Sequence, residues 1–216
     1  MELIASATER TTAATDLVLA IAAGMAVAAL GRHAARSFAR TVWQGALLSA
    51  AAGAAIGAVT HGLALSAETR ELLWQPLFFL LGLTVSLFVV GAVASWRGGP
   101  AARRLLPPML GLAVLFYLAT RLTGGRFLVF VLFQAGTLLF ALAVYLRLVA
   151  RGVRGAGWVA AGLAVTLAAG AVQAIEGLTL TLVWPFDHNG IYHLIQLGGL
   201  AALTRGLTRV LPSRAV

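Results

Sequence analysis

The residues best able to do chemistry gather in one short stretch, FDHNGIYHLIQ at 186 to 196, where Asp187, His188, Asn189, His193 and Gln196 interrupt an otherwise apolar chain. Imidazoles, a carboxylate and amides in that mixture are suited to holding a metal ion, moving a proton or hydrogen-bonding a polar ligand. Asn189, His193 and Gln196 stand at i, i+4 and i+7, so a helix would put them on one polar stripe. His188 and His193 diverge by about 140° on an ideal helix, so they serve one ion only if His188 lies in a non-helical cap. Pro185 closes the preceding segment, and Asp187 or Asn189 suits the cap of the helix that follows.

Three further positions join this list. In GAAIGAVTHGLAL, Gly53, Gly57 and His61 recur every four residues, which aims His61 at a closely approaching helix. In AGAVQAIEGLTLTLVWPF, Glu176 is expected two to three turns inside a spanning helix, with Gln173 and Thr179 nearby. A carboxylate there costs about 3 kcal/mol unless paired or wet, so it is expected to pair with Arg121, or to act as a general base or orient a histidine. Asp187 is the second candidate acid, with a helix cap as its structural role. Gln75, before Pro76, is expected to face the site, and Glu71 to lie at the interface. His61, His188 and His193 would give zinc three imidazoles and leave the fourth position for a water whose pKa falls to about 7.

The elements that must position these residues follow from composition. The chain has 216 residues, 60% hydrophobic and 11% charged, with mean hydropathy +0.92, which marks an integral membrane protein. Seven apolar runs predict an all-α bundle of seven transmembrane helices in a single domain, 1–216, with spans near 13–31, 41–64, 73–96, 104–121, 126–149, 156–184 and 188–208. Pro107 and Pro108 are expected to kink the start of span four. No internal repeat is evident, and the first fifteen residues do not read as a cleavable signal. Trp74, Trp184 and Phe186 suit an interfacial belt at one membrane face, and Trp96 and Trp158 its counterpart.

Charge sets orientation. All sixteen basic residues are Arg, and they cluster between spans in a topology pattern, which argues against a nucleic-acid partner. With the N-terminus outside and the C-terminus inside, twelve of them face inward and four outward. All seven acids, Glu2, Glu9, Asp16, Glu68, Glu71, Glu176 and Asp187, then fall in the outer half, together with His61, His188 and His193. Acids do little to set topology, so an outward-facing site is a natural cause. The absence of Cys excludes thiolate sites and Cys nucleophiles. Short loops and the Arg-biased inner face suit a bacterial cytoplasmic membrane.

A His late in span two, polar residues opening span three and a His motif opening span seven resemble the superfamily of alkaline ceramidases and progestin/adiponectin-type receptors, seven-helix membrane proteins regarded as zinc-dependent lipid amide hydrolases. In that pattern a Ser and a His lie one turn apart in span two, an Asp early in span three, and His-x-x-x-His in span seven. His61 and His193 match two of the histidines; Gly57 stands at the Ser position, Gln75 or Glu71 nearest the Asp, and Asn189 at the other His, with His188 displaced by one. The resemblance implies a rearranged or lost metal site, with Glu176 or Asp187 in the carboxylate role. FDHNGIYHLIQ also resembles a signature of uncharacterised bacterial membrane proteins.

The leading expectation is a zinc hydrolase of a lipid amide or ester reaching the site from the outer leaflet. The alternative is a non-catalytic membrane protein that binds a lipid or small molecule, or an accessory subunit. Haem held by His61 and His193 is a third reading, and ion transport through Glu176 a fourth.

Overall fold

A computed structural model of the chain describes residues 2–124 and 127–213. Among them are seven helices: α1 Ala7–His33, α2 Phe38–Gly62, α3 Ala67–Arg97, α4 Gly99–Leu122, α5 Phe127–Ala150, α6 Ala156–Gln173 and α7 His188–Val210. They run from 18 residues in α6 to 31 in α3, about 27 to 46 Å along the axis. The fold is all-α in one bundle, and six helices, α1 to α6, are long and apolar enough to cross a membrane. α7 is as long, but His188, Asn189, His193, Gln196, Arg205 and Arg209 lower its apolarity.

Several helices begin before the hydropathy does, because capping residues lie outside the apolar run. Ser6 accepts the Glu9 N–H and Ser66 the Thr69 N–H, so α1 and α3 start about one to two turns ahead of the expected spans. Gly98, at φ +83°, ends α3 and opens α4, a one-residue reversal that a β-carbon would strain. Pro107 and Pro108 lie inside α4.

The sixth span departs most from expectation. Its helix stops at Gln173 instead of running to 184, and the chain then forms an antiparallel hairpin of β1, Thr179–Thr181, and β2, Pro185–Asp187. Gly177 at φ +79° turns the chain between them and the helix, and the Thr-Leu-Thr alternation of β1 follows the period of a strand. The loop connecting the two strands is apolar and exposed, with Leu182, Val183 and Trp184 all facing outward.

Neighbouring helices pack in the circuit α1, α2, α3, α5, α6, α7 and back to α1; α4 lies outside it, against α3. α6 and α7 meet through glycines: Gly162 lies against the Gly199 carbonyl and the Leu203 backbone, and Gly206 against Val159. The odd-numbered helices α1, α3, α5 and α7 start at the end of the bundle that carries the described acids. The opposite end carries Arg32, Arg97, Arg147 and Arg205. Near that second end the core closes around Trp43, which is fully buried, 5.1 Å from Phe88 and 6.3 Å from Tyr145 between ring centroids. Gly91 makes room for it: a β-carbon there would stand 2.5 Å from the indole. The outward stripe of α1, Leu17, Val18, Ile21 and Met25, is apolar and at least half exposed, as a hydrocarbon surround requires.

Candidate functional site

The acid end surrounds a cavity of about 1180 Å³ lined from all seven helices. Its mouth is ringed by Glu71, Arg121, Glu176 and His188, its wall carries Asp16, His61, Gln134, Gln173, Tyr192, His193 and Gln196, and Leu47, Phe88, Leu138, Leu200 and Leu203 form an apolar base. The layering follows from helix position. Leu200 and Leu203 lie one to two turns beyond Gln196 on α7, and Leu138 one turn beyond Gln134 on α5, both toward the arginine end.

His193 is buried, and α1 supplies both of its partners: Nδ1 is 3.0 Å from the Thr15 hydroxyl and Nε2 3.2 Å from Asp16 Oδ1. Thr15 already donates its hydrogen to the Thr12 carbonyl at 2.9 Å, so it accepts from His193 Nδ1–H. The contact between Nε2 and Oδ1 sets the imidazole edge against a buried carboxyl group of α1. Asp16 is 5% exposed, and its Oδ2 has no hydrogen-bond partner among the described residues. Gly57 is what admits it. A β-carbon at residue 57 would stand 2.6 Å from Oδ2, so the glycine at the Ser position of the resemblance seats a carboxylate from α1.

A second pair lies nearer the mouth, where His61 Nδ1 donates to Glu9 Oε2 at 2.6 Å, a charge-assisted contact between α2 and α1. Trp74 meets the His61 ring edge-on at 5.6 Å between centroids. Asp187 caps α7, accepting the Gly190 N–H at 2.8 Å, and the Thr12 hydroxyl donates to the same oxygen at 2.8 Å. With Thr11 donating to the Pro185 carbonyl, the start of α1 holds both the hairpin and the α7 cap.

The other expected residues fall around this core. Glu176 is not inside a helix: it lies on the exposed turn after α6, at the cavity rim, because α6 ends three residues earlier. Arg121 pairs instead with Glu71, at 3.8 Å between exposed side chains. His188 opens α7, half-buried at the cavity mouth. Asn189 accepts from Gln173 at 3.0 Å, and Gln75 donates to the Glu71 carbonyl and accepts from Tyr117. Gln196 has a buried carbonyl oxygen with no partner among the described residues. Gln134, 5% exposed, also lines the cavity.

His61, His188 and His193 thus share one cavity, but they are not set as a metal-binding trio. Both nitrogens of His193 are engaged, His61 is turned to Glu9, and no group of three or more His, Cys, Asp or Glu among the described residues is arranged to hold a metal ion. What the sequence reading left out is α1. Glu9, Thr12 and Asp16 stand at i, i+3 and i+7 on one face, a polar stripe visible in ERTTAATD.

A multi-pass helical membrane bundle with an interior polar cavity is the class these observations define. The chain belongs to a family of unknown function, DUF6962, whose model matches residues 11–212, from the start of α1 past the end of α7. No curated protein and no solved structure matches it.

Proposed function

We propose that this protein takes a single-chain amphiphile, a lipid or lipid-like small molecule, into its cavity without transforming it. The head would lie beside Asp16, His193 and Gln196 and the tail on Leu138, Leu200 and Leu203. The observation that carries this reading is the layering of one cavity, polar toward the mouth and apolar at the base, with a volume somewhat above that of ordinary small-molecule sites. In the same reading α7 would be a seventh span, which its packing along both α1 and α6 supports, and the N-terminus and the mouth would lie outside, which the Arg bias supports. The test is binding of a fluorescent fatty alcohol to protein in nanodiscs. Ala50→Phe, which fills the cavity from α2, is expected to weaken binding about ten-fold with the fold intact. Undiminished binding by this variant, or none by the parent, overturns the reading.

A second reading is supported by the Asp16–His193 pair, a carboxylate-oriented imidazole on the cavity wall. It is hydrolysis of a lipid amide or ester; the zinc-dependent form that the resemblance implies would require His61 and His193 to turn from their present partners to a metal ion. Stoichiometric zinc that is lost from a His61→Ala, His193→Ala variant, together with hydrolysis of such a lipid, supports it. Zinc-free protein without hydrolysis removes it.

A further inference from the structure

The end of the bundle away from the cavity carries a charge imbalance that topology alone does not account for. Arg32, Arg36, Arg40, Arg97, Arg103, Arg104, Arg147, Arg151, Arg154, Arg205 and Arg209 lie there with His33, and no described acid does. Orientation needs arginines at this face; it does not need them drawn together. Between the ends of α1 and α7, His33, Arg205 and Arg209 nevertheless share one open cleft of about 440 Å³ with the hydroxyl-bearing Thr208 and Ser213.

The cleft is built rather than incidental. The Arg205 guanidinium lies over the Trp158 ring, 4.4 Å from its centroid. Arg209 Nη1 donates to the Arg205 carbonyl at 3.2 Å, which keeps the second guanidinium one turn away on the same face. The C-terminal segment closes one side, with the Ala35 N–H donating to the Pro212 carbonyl at 2.7 Å and Ser213 bridging to Ala34. Like charges four apart on a helix repel, and one of them suffices to answer the negative end of the α7 dipole. Two arginines share the cleft with His33, and among the described residues no carboxylate lines it, which leaves a positive site.

We infer that this cleft holds the phosphate of an anionic phospholipid. Arg209 presents N–H donors to the phosphate oxygens, Arg205 adds charge from its seat on Trp158, and Thr208 and Ser213 lie within the same cleft. The lipid tail would lie along the apolar outer surface beside the exposed Trp158.

Native mass spectrometry of the full chain, released from nanodiscs of mixed phosphatidylglycerol and phosphatidylcholine, tests this without any variant. Retention of phosphatidylglycerol is expected to exceed that of phosphatidylcholine by about ten-fold. Arg205→Gln with Arg209→Gln should bring the two lipids level, while Arg10→Gln at the opposite end should not. If the double glutamine variant does not fold, Arg205→Lys with Arg209→Lys keeps the charge and removes the forked donors, and should lower the preference part-way. Equal retention of both lipids by the parent protein overturns the inference. So does an undiminished preference in the double variants, or full displacement of the lipid by inorganic phosphate alone, which would make the site one for the free ion.

Discussion

The same device serves two ends of this bundle differently. Gly57 and Gly91 each give up a side chain so that another can enter, but Gly57 admits the carboxylate of Asp16 and Gly91 admits the indole of Trp43. Around Gly91 the space is closed, with Trp43, Tyr145 and Val90 fully buried and the Tyr145 hydroxyl bonded to Ser95 at 2.9 Å. Around Gly57 the group that enters is a carboxyl side chain on the wall of a cavity. A glycine in a membrane bundle is therefore not by itself a packing signal. What it admits decides whether the neighbourhood is core or site.

Substitutions can break or sharpen that contrast. Trp43→Ala should cost the most, about 3–5 kcal/mol of stability in a reversible unfolding measurement, because it empties a fully buried site. Next come the two glycines: Gly91→Ala and Gly57→Ala should each cost about 1–3 kcal/mol through overpacking. They part on ligand binding, which Gly57→Ala should weaken by displacing Asp16 from His193 and Gly91→Ala should leave unchanged. Equal effects of the two on binding would erase the distinction. Asp187→Ala removes the cap of α7 and the bond from Thr12, and should lower stability by about 1 kcal/mol. Glu176→Gln, on an exposed turn, should change stability by less than about 0.5 kcal/mol and leave binding intact.

How much of this was legible in the sequence differs between the two ends as well. The helices were legible because hydrocarbon imposes long apolar runs, and His61 and His193 stood out against them. Hydropathy misled at 174–184, where it ran an apolar strand pair into a helix; the Thr-Leu-Thr-Leu alternation at 179–182 was the signal for two-residue periodicity. That error placed Glu176 at membrane depth and drew attention from Asp16. The pairing of Asp16 with His193 lies beyond local pattern altogether, since it depends on α1 closing the circuit against α7. Only the stripe of Glu9, Thr12 and Asp16 hinted that α1 had a polar face to bury.

The central claim, that one amphiphile lies head toward Asp16 and tail toward Leu200, can be read directly by photo-crosslinking. A fatty alcohol carrying a diazirine at the end of its chain would be activated in nanodiscs and the labelled peptides sequenced. The account predicts labels on Leu138, Leu200 or Leu203 at the cavity base, lost in Ala50→Phe. Labels confined to lipid-facing residues such as Leu118 and Leu132, unchanged by Ala50→Phe, would contradict it.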